Sequence, residues 1–157
     1  MLGPQECHTT QPARHAPTGQ HDLLPGVDLT PEENELLLAG LFALGESTKR
    51  GAGWGARFAA RRMRADIFET TVQLALSLPA ARELVGRTLD ATGARISETQ
   101  AFLGSGAMNT NPAVVTVTVR EQKGQVVATV RGVAKEGLIP QRAGRKAARR
   151  IAGHLTG

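Results

Sequence analysis

A chain of 157 residues with 41% apolar content is long enough to bury one hydrophobic core. Aromatics make up only 3%, with one Trp and no Tyr, which argues against the base-stacking platforms of single-strand binders and RNA-recognition sheets. The formal charge of +5 is unevenly spread, and the single cysteine, Cys7, excludes an internal disulfide and a cysteine-built zinc site.

Residues 1–27 contain Pro4, Pro12, Pro17 and Pro25 and no apolar periodicity, and read as a disordered arm. They lack a charged start followed by an apolar run, so no secretory leader is expected. The longest apolar stretch, Leu36 to Leu44, is far shorter than the roughly 20 residues that span a bilayer, so no membrane insertion is expected and the reading is cytoplasmic.

Residues 28–65 form a second segment, an acidic helix followed by a basic Gly/Arg-rich connector. Thr30-Pro31-Glu32-Glu33 predicts the helix start: Thr30 as cap, Pro31 at the first position and Glu33 closing a capping box. The helix should run to about Thr48. Its leucines cover more than one face, which makes Leu37, Leu41 and Phe42 candidates for a protein interface or self-association. Gly51, Gly53 and Gly55 then interrupt any helix and read as a hinge; they lack the strand and Gly-Lys-Ser/Thr of a phosphate loop. Lys49, Arg50, Arg57, Arg61, Arg62 and Arg64 make this connector basic, and Glu32, Glu33, Glu35 and Glu46 just upstream are placed to neutralise it.

From residue 66 to 157 the pattern is that of an α+β domain. Ile67 to Leu76 alternates as a half-buried strand, and Pro79 to Thr92 carries a helical apolar face ending at Gly93. Ala94 to Thr99 and Gln100 to Ser105 are short strands. Val114 to Glu121 and Gln125 to Val133 flank a tight turn at Gln122-Lys123-Gly124. Ala134 to Pro140 reads as a loop, and Gln141 to His154 as the last helix. The order β-α-β-β-β-β-α resembles the helix-grip arrangement, an antiparallel sheet wrapped on a long C-terminal helix, here with an extra N-terminal helix. The resemblance is one of topology and carries no function with it.

The last helix holds the strongest chemical signal. Arg142, Arg145, Lys146, Arg149 and Arg150 recur at helical spacing as one cationic stripe, which reads either as the solvated outer face of a core helix or as a face for phosphate or anionic lipid. Phe102 and Met108 are candidates to line a pocket on the concave side of the sheet. Gly104-Ser105-Gly106 lacks the strand–helix setting of a nucleophile elbow, and Lys135-Glu136-Gly137 reads as a loop ion pair. His8, His15 and His21 lie in the arm and His154 stands alone, so no metal, cofactor or catalytic group is assigned. The composition therefore points first to a non-catalytic binding module for a small apolar ligand or a protein partner. The alternative is a nucleic-acid-associated protein using the arginine-rich last helix, and an enzyme ranks last.

Overall fold

A computed structural model describes residues 28–105 and 111–157; the arm assigned to residues 1–27 and the pocket candidate Met108 lie outside the described residues. The elements run α1 (Pro31–Thr48), α2 (Ala52–Ala60), β1 (Arg64–Leu74), α3 (Leu78–Thr92), β2 (Ala94–Arg95), β3 (Gln100–Ser105), β4 (Asn111–Gln122), β5 (Gln125–Glu136) and α4 (Ala143–Thr156). From β1 onward this is the β-α-β-β-β-β-α order expected from the sequence. The five strands form one antiparallel sheet in the order β1-β5-β4-β3-β2.

Strand alternation divides the core between two faces. Ala101, Leu103, Ala113, Val115, Val117, Ala128, Val130 and Ala134 point to the face covered by α3 and α4. Ile67, Phe102, Val114 and Val133 point the other way, where Leu36 and Leu37 of α1 cover them. Small residues let α4 settle directly on the sheet: a methyl group on Gly132 would collide with the Gly144 carbonyl and crowd Ala148. The β4–β5 hairpin turns at Lys123 and Gly124, both at positive φ (53° and 75°), the geometry of a primed turn whose twist matches its strands.

Four expectations are corrected. The glycine-rich segment is not a hinge but helix α2, because Gly53 packs on α1 so closely that a Cβ on Gly45 would stand 2.8 Å from the Gly53 Cα. β5 does not stop at Val133; Lys135 and Glu136 pair with Ala65 and Arg64, extending both strands and removing the expected loop ion pair. The strand after Gly93 shrinks to Ala94–Arg95, since the Ile96 and Ser97 amides turn back to donate to the Gln100 carbonyl. α4 begins at Ala143, because Arg142 sits in the left-handed region at φ 54°. Among the described residues no helix is long and apolar enough to cross a membrane.

Candidate anion-binding face

α4 starts without a side-chain cap of its own, so its first amide groups need acceptors from elsewhere. Two carboxylates supply them. The Ala143 amide donates to Glu136 Oε1 at 2.8 Å, the Gln141 amide donates to the same carboxylate, and the Arg145 amide donates to Asp66 Oδ2 at 3.0 Å. Glu136 comes from the end of β5 and Asp66 from β1, and both sit where the helix dipole favours negative charge. These acids are therefore engaged with backbone and not with the arginines that follow.

Helical periodicity then separates the two sides of α4. Ala143, Gly144, Ala147, Ala148, Ile151, Ala152 and Leu155 are buried, while Arg142, Lys146, Arg149 and Arg150 are exposed. Arg145 differs from the rest of the stripe. It is half-buried, its guanidinium carbon lies 5.0 Å from the centre of the Phe68 ring, and its Nε is buried without a hydrogen-bond partner. Arg149 approaches the same ring at 5.4 Å. Phe68 thus holds two guanidiniums against β1 by cation–π attraction, fixing their planes at the edge of the cationic face. Among the described residues none of the five cations is in an ion pair.

The earlier basic segment is treated differently. Arg57 pairs with Glu35 at 3.0 Å, and Glu46 accepts from the Gly53 amide at 2.9 Å. Glu33 turns away from the segment altogether: Arg131 Nε donates to its Oε1 at 2.7 Å and Arg131 Nη2 to its Oε2 at 3.0 Å. The second nitrogen also donates to the Asp28 carbonyl at 2.8 Å. Burial alone would push the Glu33 carboxyl up, yet hydrogen bonds from Arg131 and Thr30 and the arginine's charge outweigh it and hold the carboxyl below its ordinary value. The same hydrogen bond holds the Arg131 guanidinium above its own. The capping-box half of this clamp was readable in the sequence, and the structure forms it, with Thr30 Oγ1 accepting from the Glu33 amide at 3.1 Å. Its partner on β5 gave no sequence signal.

The other candidate residues fall elsewhere. Phe102 faces α1 rather than the α4 side, because β3 presents Ala101 and Leu103 to the α4 side instead. It lines an open groove of about 480 Å³ with Gly40, Leu44, Gly93 and Pro112. Leu37 is fully buried against Val114 and Val133, so the apolar cover that α1 needs comes from its own sheet. Leu41 and Phe42 are half-buried, and Phe42 meets Trp54 of α2 edge-on at 5.8 Å. Lys135 is buried, and desolvation pushes its ammonium pKa down. At the Gly132–Gly144 crossing the sheet and α4 touch, leaving no room there for a small ligand. Among the described residues no group of three or more His, Cys, Asp or Glu is placed to hold a metal ion. No protein-family model, curated protein or solved structure matches the chain.

Proposed function

We propose that this chain is a non-catalytic binding protein that contacts a phosphate-bearing partner, duplex nucleic acid, through the outer face of α4. The observation that carries the reading is the set of exposed cations Arg142, Lys146, Arg149 and Arg150, left without acidic partners among the described residues while the neighbouring acids Glu136 and Asp66 serve backbone amides. Phosphate contacts need cations at a surface and no aromatic platform, which suits a duplex better than an unstacked single strand. Lys135 and Glu136, which the sequence reads as a loop ion pair, are a buried strand residue and a helix cap.

The test is a fluorescence anisotropy titration of labelled duplex DNA at low salt. Replacing Arg142, Lys146, Arg149 and Arg150 together with Gln should weaken binding by at least about tenfold, since each phosphate that is no longer neutralised removes a share of the counterion-release term. Arg145 is kept in this variant because it is half-buried with its Nε covered, whereas Arg149, which approaches the same Phe68 ring, is exposed. Unchanged affinity would remove α4 as the contact surface.

A further inference from the structure

Among the described residues the prominently exposed large apolar side chains are Trp54 (71%), Phe58 (58%), Leu76 (43%), Leu138 (104%) and Ile139 (78%). All but Leu76 lie in two segments that meet at one end of the sheet. Arg64 at the start of β1 pairs with Glu136 at the end of β5, so the chain arriving from α2 and the loop 137–142 leading to α4 leave the sheet side by side. Met63 Cε is 3.7 Å from where a Cβ on Gly137 would stand, which joins the two segments physically.

The same two segments carry Arg61, Arg62, Arg64 and Arg142, all exposed. The Arg62 guanidinium carbon lies 4.6 Å from the centre of the Phe58 ring. Of the nearby acids, Glu136 and Asp66 are engaged by the amides of α4, Glu46 accepts from the Gly53 amide, and Glu35 pairs with Arg57 at the surface. The end therefore presents apolar side chains beside exposed arginines, with Glu136 and Asp66 turned to backbone.

We infer that this end of the molecule docks on the surface of an anionic lipid bilayer. Leu138 and Ile139 enter the boundary between headgroups and acyl chains, Trp54 and Phe58 lie at headgroup depth, and the four arginines meet the lipid phosphates. The charge is complementary to an anionic leaflet, and an aromatic-plus-arginine rim around aliphatic tips is the composition that the bilayer interface favours. Leu138 protrudes with its whole surface open, a form that a fluid bilayer takes up without a preformed pocket. The contact reaches only side-chain depth, so it departs from the sequence expectation of no membrane insertion without requiring a spanning helix. It uses a different surface from the outer face of α4, sharing only Arg142 with it, and does not depend on the duplex reading.

The test uses the full chain with phosphatidylcholine vesicles, with and without phosphatidylglycerol. The chain has a single tryptophan, so the emission of Trp54 reports directly on this end. The expected result is flotation with the anionic vesicles only, with emission moving to shorter wavelength. Leu138→Ser with Ile139→Ser should weaken vesicle binding by about tenfold or more, because the anchoring apolar area is gone. The same variant should keep wild-type circular dichroism and wild-type duplex binding, which separates this end from α4. No flotation with anionic vesicles, bound protein with unshifted emission, or a serine variant that floats like the wild type would each overturn the inference. So would a dimer, abolished by the serine substitutions, that forms without lipid and blocks vesicle binding.

Discussion

The N-termini of α1 and α4 are each closed by a buried carboxylate, and the two carboxylates leave opposite electrostatic results. Glu33 caps α1 and also takes the guanidinium of Arg131, so an acid and a cation cancel inside the fold. Glu136 caps α4 through the Gln141 and Ala143 amides and meets no cation among its hydrogen-bond partners, so the arginines that follow keep their charge at the surface. One N-terminus is a clamp between helix and sheet; the other is a platform that presents charge. The number of acids near a basic run therefore says little about its neutralisation until their hydrogen-bond partners are known.

The largest effect that tests this contrast is expected at the clamp. Glu33→Gln takes from Arg131 its hydrogen-bonded counter-charge in a nearly dry site, leaving only Glu69 across the strand pair, and should cost about 3 kcal/mol, read as a fall in the urea midpoint. Adding Arg131→Met should recover part of that loss, because the remaining buried charge goes with it. At the platform, Glu136→Ala should cost about 2 kcal/mol by leaving two amides of the α4 entry unbonded, with helix fraying seen as faster amide exchange at residues 143–146. If Glu136→Ala also weakened duplex binding as strongly as removal of the arginines, cap and contact surface could not be separated.

The pH dependence sharpens the same contrast. The Glu33 carboxyl titrates lower when folded than when unfolded, so the folded state takes up its proton less readily. Its contribution is complete above the ordinary carboxylate range and is lost as pH falls through that range toward the folded value. Urea midpoints measured from neutral pH downward should fall in that window for the wild type and fall less for Glu33→Gln. The smallest effect is on α4's outer face. Replacing Lys146 and Arg150 with Gln should change stability by no more than about 0.5 kcal/mol, whereas Arg145→Ala should cost about 1 kcal/mol through weaker packing on Phe68. Thermal melts of the two variants distinguish these outcomes.

Features set by neighbours in the chain were legible in the sequence. Thr30 to Glu33 placed the start of α1, the β-branched runs around Lys123-Gly124 placed the β4–β5 hairpin, and the arginine spacing placed the exposed side of α4. Features set by distant neighbours were not. α2 forms because Gly53 fits against α1, a contact that composition alone reads as a break. The last residues of β5 are ordered by Arg64 and Ala65, which carry no alternating pattern of their own. Arg131 lies 98 residues from Glu33, and nothing local marks it as the partner. Arg145 belongs to the stripe by spacing, yet Phe68 takes it out of the exposed set, and only the crossing of α4 over β1 shows this.

Binding through the outer face of α4 is tested by the salt dependence of duplex binding by the wild type, by the glutamine variant of Arg142, Lys146, Arg149 and Arg150, and by a charge-matched variant with Arg50, Arg82, Arg87 and Arg120 replaced by Gln. The logarithmic salt slope of the α4 variant should become shallower by about 0.9 for each phosphate it no longer neutralises, and the charge-matched control should keep the wild-type slope. Equal changes in both variants would mean that net charge alone drives binding, and would contradict the assignment of the outer face of α4 as the site.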